Sequence, residues 1–239
     1  MSLAKDFQPL YQQVYELLTD RLASGYWKPS ESLPSEFALA DELGVSQGTV
    51  RKALNQLVAE KLLRRRQGRG TYVNEHTQES SLYRFFRLRE SGGDLLVPDT
   101  RVVRSRRRAA TRAEQSRLEL KVGDQVVELV RVRQLKDRPV SVETVIQPLA
   151  VFPDIDLHAE LPNSLYTLYQ EQYGISIVSV QDEVRATALP RKFSAHLGLP
   201  AGTPVLAVER ASSHIDGRVV EWSTAFCSTE HFVYSVQLN

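Results

Sequence analysis

Apolar residues recur at intervals of three and four over Leu10, Val14, Leu17, Leu18 and Leu22, which predicts an amphipathic helix that stops near Ser24-Gly25. Trp27-Lys28-Pro29-Ser30 reads as a turn. Pro34-Ser35 opens a second helix, with Ser35 as its N-cap, Leu39, Ala40 and Leu43 facing inward, and Gly44 as the left-handed residue that ends it. Ser46 caps a third helix. In that helix Val50, Ala53, Leu54, Leu57 and Val58 make an apolar side, while Gln47, Thr49, Arg51, Lys52, Asn55 and Gln56 stay outside, where base edges and phosphates can be bonded. Leu62-Leu63-Arg64-Arg65-Arg66 and Thr71-Tyr72-Val73 then read as two short strands around the loop Gln67-Gly68-Arg69-Gly70. The order predicts a helix-turn-helix followed by a wing.

From Asn74 to Ser81 the chain is polar and aperiodic, which predicts a division into residues 1–73, a linker at 74–81, and a second domain at 82–239. In the second part, strand-like runs at Thr100–Arg106, Val126–Leu135, Val140–Gln147, Ser176–Ala186, Pro204–His214 and Val219–Phe226 outnumber helical stretches at Arg112–Leu118, Ser164–Tyr173 and Arg191–Leu197. Hairpins are expected at Lys136-Asp137-Arg138-Pro139 and, as a two-residue turn, at Asp216-Gly217. The fold class is therefore α+β, with an antiparallel sheet and helices on one face.

The chain has 239 residues, 42% of them hydrophobic and 25% charged, which suits a globular protein able to bury a core. A single cysteine, Cys227, makes no intramolecular disulfide and fits a reducing cytoplasm. With no apolar leader after Met1 and no long apolar run, neither export nor membrane spanning is expected. The net charge of +1 conceals an asymmetry: residues 82–138 carry fifteen Lys/Arg against eight Asp/Glu, and residues 139–239 carry five against eleven. Residues 1–75 are nearly balanced, but from Leu43 to Glu75 seven basic residues meet two acidic ones. The five histidines lack metal-ligand spacing, and neither a phosphate-cradling glycine loop nor a nucleophile motif stands out, so neither metal nor cofactor is implied.

Arg51 has a fork able to bond guanine O6 and N7 together; the alternatives are a phosphate clamp or a surface ion pair. Arg69 at the tip of the wing can reach a phosphate or a narrow minor groove, and part of the Arg64–Arg66 run is expected on phosphates rather than merely solvated. Arg131 and Arg133 are two apart on a strand and share a face, opposite Val130 and Val132. Two guanidiniums on one face repel unless they share an anion, which points to an anionic ligand or to pairing with Glu143 or Glu221.

Pro9-Leu10-Tyr11, Leu33-Pro34-Ser35-Glu36, Leu39-Ala40, Gly44-Val45-Ser46, Thr49 to Leu54 and Gly68 to Val73, in this order and spacing, resemble the winged-helix domain of the GntR family of bacterial transcription regulators. The resemblance implies DNA contacts at Ser35, Glu36, Gln47, Thr49, Arg51, Gln67, Gly68 and Arg69. Gln47 stands where many members carry arginine, Gly48 where they have a bulkier side chain, and Lys61 where they have glycine. Leu120 with Gly123, Arg131-Val132-Arg133, Pro139 with Glu143, Ser164-Leu165-Tyr166, Tyr173-Gly174-Ile175, Gly202 to Leu206 and Val220-Glu221 resemble the UTRA effector domain of the HutC subfamily, whose fold is similar to chorismate lyase. This implies an effector pocket formed by Arg131, Arg133, Glu143, Ser164, Tyr166 and Glu221, with Arg87 and Arg89 candidates at its entrance. The expected protein is a repressor that binds a palindromic double-stranded operator as a homodimer and responds to a small anionic metabolite. Two alternatives are a lyase-like enzyme, with Glu143 as acid or base, and a ligand-independent DNA binder.

Overall fold

The computed structural model describes residues 8–75, 77, 81, 85–90, 97–155 and 161–236. Residues 76 and 78–80 of the expected linker lie outside the described residues.

Helix α1 (Leu10–Ala23) ends as its pattern predicts, with Gly25 at φ 71° and the Tyr26 N–H returning to the Arg21 carbonyl at 2.9 Å. Helix α2 (Glu36–Leu43) starts where the Ser35 hydroxyl accepts from the Ala38 N–H, and it stops at left-handed Gly44. Helix α3 (Gln47–Ala59) repeats the device, with Ser46 accepting from the Thr49 N–H. Strands β1 (Leu63–Arg66) and β2 (Gly70–Val73) pair antiparallel to form the wing, and Ser32 bridges to Tyr72 on the strand's other side. Val14, Leu18, Leu39, Val50, Ala53, Leu54 and Leu57 are buried together with Trp27 and Leu63, so one core unites the helices and the wing.

In the second unit β4 (Asp99–Ala109), β5 (Gln125–Leu135), β6 (Arg138–Pro148), β7 (Ile177–Ala188), β8 (Pro204–His214) and β9 (Val219–Cys227) form one antiparallel sheet in the order β4-β5-β6-β9-β8-β7. A second, two-stranded sheet joins β3 (Leu88–Glu90) to β10 (Phe232–Tyr234). Helix α4 (Arg112–Arg117), α5 (Leu165–Tyr173), a 3-10 turn at Arg191–Phe193 and the short α6 (Ser194–Leu197) also belong to it.

Helices cover both faces of the sheet rather than one. Val127, Leu129 and Val145 pack with Leu165, Tyr166 and Tyr169 of α5; Val130, Val132 and Val142 pack on the opposite face with Phe193 and Leu197. The reason is in the central strands, which carry apolar residues at both parities, as strands buried on both sides do. The hairpin turns also differ from expectation. β5 and β6 are joined by Lys136-Asp137 alone, both at positive φ (49° and 63°), so Arg138 and Pro139 belong to β6. β8 and β9 are joined by four residues, Ile215-Asp216-Gly217-Arg218, with the His214 N–H bonded to the Arg218 carbonyl at 2.9 Å. The two units touch: Val178 and Ile215 pack against the winged-helix core, and Gln170 Nε2 donates to the Asn74 carbonyl at 3.3 Å.

Candidate nucleic-acid interface and effector cavity

The outer side of α3, the start of α2 and the wing converge on one carboxylate. Glu36 Oε2 accepts from Arg51 Nε at 2.8 Å and from Gln47 Nε2 at 3.3 Å, and Oε1 accepts from Arg65 Nη2 at 3.0 Å. Arg65 Nη2 also donates to Asn55 Oδ1 at 2.8 Å. Burial pushes the Glu36 carboxyl up, but the hydrogen bonds and charges of Arg51 and Arg65 outweigh it and hold the group below the ordinary carboxylate range. Of the other expected contacts, Ser35 and Thr49 take part in the caps, with Thr49 Oγ1 2.8 Å from Ser46 Oγ. Gln67, Gly68 and Arg69 form the exposed turn of the wing, which Gly68 closes at φ 69°. The three wing arginines diverge. Arg64 Nη2 donates to Ser30 Oγ at 2.7 Å, beside Glu75; Arg65 reaches Glu36; the Arg66 guanidinium lies over the Tyr72 ring at 4.7 Å. Arg64 is thus tied to the start of the linker rather than turned outward as a phosphate contact.

A cavity of about 90 Å³ opens on the α5 face of the large sheet, room for several water-sized groups. Arg131, Arg133, Glu143, Ser164, Tyr166 and Glu221 all line it, so strand alternation and the start of α5 bring the whole expected set together. Arg131 lies directly across the ladder from Glu143, Nε to Oε1 3.2 Å, and Arg133 Nη2 reaches the same oxygen at 3.1 Å. Arg131 Nη2 donates to the Asn163 carbonyl at 2.6 Å, just before α5, which sets the sheet arginines against the helix. Glu221 meets hydroxyls: Tyr169 donates to Oε2 at 2.5 Å and Ser212 to Oε1 at 3.1 Å. Tyr166 lies 2.8 Å from Ser212 Oγ. Arg87 is among the residues that line the cavity, and Arg89 is not.

Burial pushes the Glu143 carboxyl up, yet Arg133 and Arg131 overcome this and keep it ionised. Glu221 goes the other way. Burial and the nearby Glu143 charge raise it, against the hydrogen bonds from Tyr169 and Ser212. Sequence reasoning missed Arg210 on β8, which lines the cavity while Asp182 accepts its Nε and Nη2 at 2.6 and 2.7 Å. Tyr234 on β10 donates to the same carboxylate at 2.5 Å and also lines the cavity. Cys227 also lines it, as a thiol that burial pushes up to about 12. The alternation that exposed Arg131 applies equally to Arg210, Ser223 and Cys227, once the order β6-β9-β8 is known.

Two such units define a winged helix-turn-helix joined to a ligand-sized sheet cavity. Residues 10–73 match the model of the bacterial regulatory proteins of the gntR family, and residues 94–233 match the UTRA domain; the chain belongs to this family. It is 31% identical over 230 residues to the mannosyl-D-glycerate transport/metabolism system repressor MngR of Escherichia coli (strain K12), covering 96% of this chain and 95% of that protein. It is 27% identical to the HTH-type transcriptional repressor NagR of Bacillus subtilis (strain 168), covering 95% and 93%. Among solved structures, the ligand-binding domain of a GntR-family regulator from Bordetella bronchiseptica superposes with TM-score 0.61 at 28% identity, over 66% of this chain and 99% of that one. PhnF from Mycobacterium smegmatis shares the fold over 95% and 99% of the two chains, with TM-score 0.54 at 22% identity. Among the described residues no helix is long and apolar enough to cross a membrane.

Proposed function

We propose that the chain is a transcriptional repressor in which residues 1–73 bind a palindromic operator, residues 82–239 bind a small anionic metabolite and dimerise, and residues 74–81 join the two. One reading helix touches too few bases for a specific site, so two copies on half-sites about one helical turn apart are required. Within the first unit, Gln47, Thr49 and Arg51 face the major groove, Ser35 lies at the backbone, and Gln67, Gly68 and Arg69 reach the flanking strand. The observation that carries the ligand class is the cavity's charge. Arg87, Arg131, Arg133 and Arg210 outnumber the three carboxylates beside them, Glu143 and Asp182, which their arginine partners hold below the ordinary range, and Glu221, which burial pushes up. A surplus of desolvated guanidinium attracts a carboxylate or phosphate. Glu143 is a poor acid or base in this setting, because its two arginine partners stabilise the charged form, which favours binding over lyase chemistry.

The route from cavity to DNA runs along α5. Ser164 and Tyr166 line the cavity, Gln170 of the same helix bonds the Asn74 carbonyl, and Val178 a few residues later packs on the winged-helix core. Ligand control requires two arrangements of this connection with different DNA affinity. A thermal-shift screen of phosphorylated sugars, phosphonates and carboxylic acids tests the ligand class. An anion at about 100 times its Kd stabilises the fold by roughly 2.7 kcal/mol. Arg133→Ala loses that shift; a shift that survives in Arg133→Ala, or that comes only from cations or neutral compounds, contradicts the assignment.

A further inference from the structure

Glu36 is placed behind the arginines it bonds. Its side chain is 16% exposed, against 55% for Arg51 and 43% for Arg65. Both of its oxygens accept from protein donors, and it is less exposed than the two arginines that cover it. Arg51 is held through Nε alone, which leaves its two terminal nitrogens together at the end of the fork, the pair that matches guanine O6 and N7. Arg65 is held through Nη2, whose two protons go to Glu36 and Asn55, and Nη1 is left without a protein partner among the described residues. Arg65 thereby ties the wing strand to the reading helix and to the start of α2 at a single point.

We infer that Glu36 is a positioning residue and not a DNA contact: its carboxylate fixes Arg51 for end-on reading of one guanine and draws Arg65 into the same surface as a further DNA-contacting side chain. The inference rests on α3 being the reading helix. A carboxylate beside a phosphate backbone repels DNA unless it is paired, and here two guanidiniums cover it. Fixing the two long side chains before binding also removes rotamer freedom that would otherwise be lost in the complex. Arg65 has its Nη2, which belongs to both two-point edges of the guanidinium, already occupied, so the remaining Nε and Nη1 suit point contacts with a phosphate rather than a two-point base contact.

Selection from a randomised duplex pool with the full chain gives the preferred half-site, and competition among the four bases at each position gives discrimination ratios. Arg51→Ala is expected to lower preference for guanine at one position about tenfold. Glu36→Gln is expected to lower the same preference at the same position, to add nothing when combined with Arg51→Ala, and to tighten binding to mixed-sequence DNA. Arg65→Ala should weaken all sequences alike, a few-fold, and reduce the slope of log affinity against log salt by about one. Unchanged guanine preference in Glu36→Gln overturns the inference, as does a loss at a different position that adds to that of Arg51→Ala. Unchanged affinity and salt slope in Arg65→Ala removes the wing arginine from the surface. Should Arg51→Ala alter no base preference at all, the reading-helix assignment itself falls. Melting curves of the variants separate these outcomes from a loss of fold.

Discussion

Lys61 occupies the left-handed region at φ 60°, where an L side chain costs roughly 1–2 kcal/mol. The turn there is nonetheless complete: the Leu62 N–H returns to the Leu57 carbonyl at 2.9 Å, the Lys61 N–H to Val58 at 3.0 Å, and Asn74 Nδ2 donates to the Lys61 carbonyl at 2.9 Å. Lys61→Gly therefore relieves strain and is expected to gain about 0.5–1 kcal/mol after the extra chain entropy of glycine is subtracted. For a chain of this size that is roughly 1–4 °C in melting temperature, measurable by calorimetry, and no gain would mean that the surrounding bonds already offset the strain. At this scale much was legible in advance. Ser35, Gly44 and Ser46 act through neighbours three or four residues away, so their roles are written locally. Arg131 and Arg133 share a face by alternation alone. Arg210 carries the same local signal, but its relevance depends on β8 being two strands from β6, which no local pattern encodes.

On strand β4, Arg104, Arg106 and Arg108 all converge on Glu128 of β5, at 2.8, 3.0 and 2.8 Å. β4 is an edge of the sheet, and a row of exposed arginines there discourages pairing with another strand. Burial raises the Glu128 carboxyl, while Arg106 and Arg108 outweigh it and leave it below the ordinary carboxylate range. A depressed carboxylate contributes stability that is present above its unfolded value and lost as pH falls through the folded one. Glu128→Gln should thus cost about 1–2 kcal/mol near pH 7, a figure discounted because Arg104 and Arg106 are half-exposed. The gap to the parent should close as pH falls below about 4.5, and urea denaturation across that range would show it; a gap independent of pH would assign the loss to packing instead. Element boundaries followed their signals unevenly. Long, strongly patterned strands and capped helices were readable. The hairpin at Lys136-Asp137 was readable but its two-residue extent was not, since no glycine marks the positive φ, and β3 and β10 are three residues each, too short to alternate and distant in sequence.

For the whole molecule, the family and the order of its two units could be read from motifs, whereas their mutual placement could not. It depends on Val178 and Ile215 meeting the winged-helix core and on Gln170 Nε2 meeting the Asn74 carbonyl, contacts between positions about 100 or more apart in the chain. Gln170 lies on the same helix as Tyr166 of the cavity, and this is the connection through which the proposed ligand control would act. Coupling of this kind is typically worth about 1–3 kcal/mol, a 5- to 150-fold change in affinity. The central claim, that an anion in the arginine-lined cavity controls DNA binding, is tested most directly by fluorescence anisotropy. The selected operator is titrated with the parent protein and with Arg133→Ala, each with and without a saturating anion from the thermal-shift screen. The account predicts at least a fivefold change in operator Kd for the parent and none for Arg133→Ala, with equal affinities when the anion is absent; an operator Kd for the parent that stays the same with the cavity saturated would contradict it.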